Sequence, residues 1–256
     1  VGWFNAESAD ELTRLNALAV AAGRRARVAL RLNPDVEPDT HKHIRTGGAT
    51  SKFGLPLDQA HALATRWDDF PALDLAGAHI HIGSQMAGAA PWRAALDAML
   101  DFVAAYPSIR HVDLGGGLPV SSGDTPAPDP AVFAGPIVER LQSLVGDYSV
   151  GLEPGRYLVA ESGVLVTEVQ ALKTMNGRRL AVVDTGMHHL IRPMLYEARH
   201  RIQPVRGSVP RRTTDVVGPT DVVGPTDVVG PTDVVGPICE STDVLGRDVS
   251  LPALAV

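Results

Sequence analysis

The sequence is short of cysteine, of basic blocks and of long apolar runs, and each shortage removes a class of protein. A single cysteine, Cys239, excludes an internal disulfide and fits a reducing, cytoplasmic setting. The formal charge of -6 has no basic block, which argues against nucleic acid or an acidic membrane as the main partner. No stretch has the apolar length needed to cross a bilayer. Val1-Gly2-Trp3-Phe4-Asn5 has neither the basic flank nor the apolar core of a signal peptide. What is plentiful is apolar residues, 45% of 256, with Gly 25 and Pro 20, enough for one substantial core and a smaller second one. The expectation is a soluble intracellular enzyme.

The first two-thirds alternate helical and strand patterns. Ser8-Ala9-Asp10-Glu11 reads as a capping box, followed by a helix through Leu12, Leu15 and Leu18 that leaves at Gly23. Strands are predicted over 28–32, 75–82, 111–114 and 149–152, and further helices near 57–66, 91–106 and 130–144. Strands separated by helices predict parallel pairing, because a parallel crossover needs a long connection. Each strand ends in polar or glycine-rich residues, as at the mouth of a (β/α)₈ barrel; a doubly wound sheet is the competing architecture. Residues 1–158 hold about half the units of such a barrel. The expected fold is therefore α/β: a partial barrel over 1–158 and a β-rich domain over 159–256, with strands at 164–169 and 180–184.

Within the second region, residues 214–237 are tandem copies of Thr-Asp-Val-Val-Gly-Pro. So few copies make little of a solenoid, so the reading is a duplicated strand preceding Ile238-Cys239, of which the sheet needs one copy.

The strand tips carry the residues suited to chemistry. Gly115, Gly116 and Gly117 let backbone amides approach a phosphate, or simply form a tight turn. Glu153-Pro154-Gly155-Arg156 adds a carboxylate and a guanidinium suited to phosphate or carboxylate. His79 and His81, two apart on a strand, share a face. They read as a metal pair with Glu153, or as a buried core histidine (His79) beside one that packs on a cofactor ring (His81), with Ser84 on its phosphate. Arg192 and Tyr196 could hold an anionic substrate or lie idle on the surface. Lys52 is expected to open a helix and to make an ion pair rather than a covalent bond to a cofactor.

In order along the chain, Arg31-Leu32-Asn33-Pro34-Asp35, Thr46-Gly47 with Lys52-Phe53-Gly54, His79-Ile80-His81-Ile82-Gly83-Ser84-Gln85, Leu114-Gly115-Gly116-Gly117, Glu153-Pro154-Gly155-Arg156, Ile191-Arg192-Pro193 with Leu195-Tyr196, and Gly236-Pro237-Ile238-Cys239-Glu240-Ser241 resemble the diaminopimelate decarboxylases. Related decarboxylases of ornithine or arginine share only some of these. The resemblance implies pyridoxal 5'-phosphate in the barrel, a small amino-acid substrate and a homodimer with active sites at its interface. It implies that His81 stacks on the pyridine ring and that Ser84, Gly115, Gly116, Gly117, Gly155 and Arg156 hold the phosphate. Glu153 would face the pyridine nitrogen, and Arg156, Arg192, Tyr196 and Glu240 the substrate. Cys239, given across the dimer interface, would return a proton to the α-carbon. No metal is implied.

The sequence also departs from that family. None of Lys42, Lys52 and Lys173 lies where the family has its cofactor lysine, so the chain is expected to be an inactive fragment of the enzyme. His188-His189 replaces the usual Asn-Asp pair. Two other readings remain: a non-catalytic homologue that binds a decarboxylase subunit, and a metal-dependent hydrolase using His79 and His81.

Overall fold

In a computed structural model, the described residues are 2–36, 51–142, 147–205, 228–252 and 254. They form two compact units, Val1–Pro119 with Pro128–Tyr157, and Val120–Ala127 with Leu158–Val256.

The first unit is built on a parallel sheet. Its strands are β1 (Phe4–Ala6), β2 (Ala26–Asn33), β3 (Leu55–Pro56), β4 (Leu73–Ile80), β5 (His111–Asp113) and β6 (Ser149–Gly151). The spatial order is β1-β2-β4-β5-β6, with β3 on β2, and every pair is parallel. Apart from β3, each strand joins beside its predecessor. A doubly wound sheet reverses direction at a switch point, and this one does not. The progression is that of a barrel wall.

The helices are α1 (Ala9–Ala21), α2 (Leu57–Thr65), α3 (Ala90–Ala104), α4 (Ala131–Leu141) and the short α5 (Gly155–Val159). Ser8 caps α1 by accepting the Glu11 amide at 3.1 Å. The Glu11 carboxylate returns to the amide of Glu7, one residue before the cap. Gly23 ends the segment in the left-handed region at φ 60°. Strand alternation sends Val28, Leu30, Leu32, Ala78, Ile80 and Val112 into one core with Leu12, Leu96, Met99 and Phe102. The opposite face carries Arg31, His79 and Asp113, with the small residues Ala29, Gly77 and Gly151 between them.

The second unit is a four-stranded sheet of β7 (Val169–Met175), β8 (Arg178–Val183), β9 (Val228–Val235) and β10 (Val244–Pro252), in the order β10-β9-β8-β7. Asn176 and Gly177, both at positive φ, close the β7–β8 hairpin. Val169, Ala181, Val183, Val234, Leu245 and Leu251 form its core. α6 (Arg192–Tyr196) lies between β8 and β9 in the chain.

Several expectations shift. The strand predicted over 75–82 ends at Ile80, so His81 lies in the following loop. Residues 164–166 are not in a strand, and β7 begins at Val169. Lys52 does not open a helix. It precedes β3, with its ammonium 5.0 Å from the centre of the Phe53 ring. Most of the hexapeptide region, residues 214–227, lies outside the described residues, as do Thr46 and Gly47. The described part corrects the one-copy expectation: β9 runs from Val228 in the third copy to Val235 in the fourth, because eight residues exceed one six-residue unit.

Candidate active site at the strand tips

The strand register creates the site's floor. Arg31 of β2 pairs with His79 of β4, His79 with Asp113 of β5, and Asp113 with Gly151 of β6. Residues paired across a sheet share a face, so Arg31, His79 and Asp113 form one polar row opposite the helix-packed core. Arg31 is neutralised by Glu7 just beyond β1, at 2.6 Å, and the other Glu7 oxygen accepts the Gly54 amide. The empty side-chain position at Gly151 is taken by Asp113, whose Oδ2 would lie 2.9 Å from a Cβ there.

His79 is buried and lies 3.3 Å, through Nε2, from Glu153 Oε2. Burial pushes its pKa down to about 4; the Asp113 charge opposes this and Arg31 reinforces it. The ring is therefore neutral near pH 7, and Nε2 carries the proton it donates to Glu153. Nδ1 is buried and has no hydrogen-bond partner among the described residues. That is where a second proton would have to sit, which agrees with the low affinity for it.

Above this floor the tips of β4, β5 and β6 are joined by backbone bonds and by the His81 ring. The Gly116 amide donates to His81 Nδ1 at 3.0 Å, which places the ring proton of neutral His81 on Nε2. Burial lowers the His81 pKa, with Arg31 and His79 adding to the effect. The Glu153 amide donates to the Gly115 carbonyl at 2.8 Å, and the Met86 amide to the Gly117 carbonyl at 3.2 Å.

The glycines are required by this joining. A Cβ on Gly115 would strike the Ile80 carbonyl, one on Gly116 the Glu153 carbonyl, and one on Gly117 the Gly83 carbonyl. Gly115 and Gly117 also sit at φ 65° and 119°. The amides are already committed in part. Gly115 donates to Asp113 Oδ1 at 2.8 Å, Gly116 to His81, and Gly155 to the Glu153 carbonyl at 2.8 Å. Strand alternation does not extend to His81, which lies past the end of β4, and His79 and His81 are not brought together as a metal pair. The described group with ligand atoms within 4.8 Å of one another is His79, Asp113 and Glu153, without His81.

His81, Gly115, Gly116, Gly117 and Glu153 thus come together, and Ser84, Gly155 and Arg156 lie on the same tip loops of the first unit. Glu153 is half-exposed, with one oxygen on His79 and the other 3.4 Å from Asn5 Nδ2. Both contacts are long, and a carboxylate has about four lone-pair sites, so it can accept a further, stronger donor. A pyridinium N–H is such a donor, and His81 offers a ring held in one orientation beside it. The donor set fits pyridoxal phosphate.

In the second unit, Arg192 and Tyr196 are the two ends of α6, the guanidinium 5.3 Å from the centre of the tyrosine ring. Cys239 and Glu240 are exposed on the turn between β9 and β10. Sequence reasoning gave no role to Asn5, Asp113 or Asp243. Asp113 stands two residues before the first glycine of the turn, a signal that could have found it. Asn5 and Asp243 had no such signal.

A sequentially ordered parallel sheet with a histidine, a glycine turn and an acid–arginine pair at its tips, followed by a separate β-sheet, defines a cofactor-binding α/β enzyme class. The chain belongs to the pyridoxal-dependent decarboxylase family: residues 1–160 match its pyridoxal binding domain and 156–256 its C-terminal sheet domain. It is 39% identical to the diaminopimelate decarboxylase of Vibrio cholerae, over 97% of this chain and 56% of that protein. The Pseudomonas aeruginosa enzyme of the same name gives the same identity and shares. The crystal structure of the Helicobacter pylori diaminopimelate decarboxylase complexed with L-lysine superimposes with a TM-score of 0.83 at 33% identity, covering 99% of this chain and 59% of that one. The chain spans little more than half the length of the curated relatives it matches.

Proposed function

We propose that this chain is part of a cytoplasmic, homodimeric decarboxylase that uses pyridoxal 5'-phosphate to convert meso-2,6-diaminopimelate to L-lysine and CO₂. The observation that carries this reading is the junction at Gly116. Its amide fixes the His81 ring, while its missing Cβ makes room for the backbone of Glu153.

The cofactor, when bound, supplies an electron sink for the carbanion left as CO₂ departs. His81 stacks on its ring. Glu153 keeps the ring nitrogen protonated, and His79, donating from Nε2, holds the Glu153 carboxylate in place. The Gly117 amide, Ser84, Gly155 and Arg156 hold the phosphate, with Gly115 and Gly116 shaping the loop. Arg156, Arg192, Tyr196 and Glu240 bind a substrate bearing two carboxylates and two ammonium groups. Cys239 returns the proton to the α-carbon.

Two experiments test the reading. Joining this chain to the amino-terminal part of the Vibrio cholerae relative should give an enzyme that forms L-lysine from meso-2,6-diaminopimelate. Preferential turnover of ornithine or arginine would overturn the substrate assignment. Treating the chain alone with stoichiometric pyridoxal phosphate and borohydride should label Lys42, Lys52 and Lys173 no faster than an unstructured lysine peptide; fast, saturable labelling of one of them alone would relocate the cofactor lysine.

A further inference from the structure

The second unit contains a buried carboxylate that the proposed chemistry leaves without a task. Asp243, only 3% exposed, follows the turn that carries Cys239 and Glu240. Its Oδ1 accepts the Met187 amide at 2.6 Å and its Oδ2 the Ile238 amide at 2.8 Å. These two amides belong to different segments. Met187 lies in the loop from β8 to α6, where the amides of His189 and Leu190 both turn back to the Gly186 carbonyl. Ile238 directly precedes Cys239.

The surroundings are shaped around this carboxylate. A Cβ on Gly186 would lie 2.6 Å from Oδ1, and one on Gly236 would overlap the carboxylate outright. The backbone of the same turn closes through Gly236 N to Asp243 O and Asp243 N to Glu240 O, both 3.0 Å. A buried carboxylate held by main-chain amides gains short, charge-assisted bonds but loses its hydration. The two bonds fix the carboxylate against both segments at once, so a change in either segment must move or break one of them.

We propose that Asp243 is a positioning residue that couples the two segments. It sets the Cys239–Glu240 turn against the loop leading to Arg192 and Tyr196, so that thiol, acid and guanidinium keep one mutual arrangement. The importance of that arrangement for substrate rests on the decarboxylase reading; the coupling itself does not, and its test uses neither cofactor nor substrate.

Cys239 is the only cysteine, so its alkylation rate reports on the turn without ambiguity. In the unchanged chain, the Met187 and Ile238 amides should exchange slowly with deuterium; fast exchange at both overturns the proposal. Gly186→Ala, about fifty residues from the thiol in sequence, and Asp243→Asn, which sets an amide N–H₂ against a backbone N–H, should each change the alkylation rate about three-fold or more. The double variant should go no further than the larger single effect. Arg178→Ala, which loosens the Asp233 ion pair in the same sheet, controls for general destabilisation and should leave the rate unchanged. A folded Gly186→Ala protein with an unaltered rate, or full additivity in the double variant, would refute the coupling.

Discussion

His79 shows how one residue's surroundings decide its chemistry. With its pKa near 4 in the folded chain and near 6.5 when unfolded, it binds a proton only in the unfolded state between those values. Unfolding therefore takes up a proton in that window, and stability rises with pH across it. The contribution is complete above about pH 6.5 and is lost as the pH falls toward 4, a span worth roughly 3 kcal/mol. His81 shifts in the same direction and adds to the slope. Denaturant midpoints measured from pH 4 to 7 should rise with pH, and His79→Gln should flatten the curve. Gly116→Ala should cost about 2 kcal/mol or more, since the new methyl meets a main-chain carbonyl that cannot rotate away; thermal melting checks this. At this scale the sequence marked residues that the strand tips bring together, but not the partners each one meets there. The pairing of His79 with Glu153 joins positions 74 apart, and burial, which neutralises the ring, is not written in the local pattern.

Elements were legible where a local physical signal existed. The Ser8 cap, the Gly23 exit and the long α3 helix follow from capping and periodicity. β1 and β3 escaped because three and two residues are too few to show alternation. Residues 164–166 misled for the opposite reason: Val164, Leu165 and Val166 have strand propensity but no partner strand among the described residues, and they stay exposed. β9 is the instructive element. Its fourth-copy residues pair with both β8 and β10, and Asp233 is held by Arg178. Because the copies are identical, deleting two of them leaves the sequence preceding Cys239 as it is in β9. Such a deletion should not change the melting temperature. Deleting a third copy replaces the residues that now occupy 228–231 and should lower it.

Across the whole molecule, the presence of a helix-covered parallel sheet followed by a β-rich region was readable from the change of pattern after Gly163. The sequential strand order needed coordinates, because parallel neighbours follow from register and not from propensity. Among the described residues β1 and β6 are the edges of the first sheet, and Phe4, Val150 and Leu152 are exposed at or beside them. Unpaired apolar edges recruit other chains. The chain in isolation should self-associate in light scattering, and Val150→Lys should reduce this by placing a charge on the β6 edge.

The backbone bonds that join the three strand tips have one more consequence. A rim stitched from Gly115, Gly116 and Gly117 to its neighbours is already ordered before anything binds. Little entropy remains to be surrendered on association, so affinity there comes from fit to a rigid outline and not from loops folding inward. A ring system broader than that outline should therefore bind more weakly, which competition between pyridine aldehydes of different bulk would show.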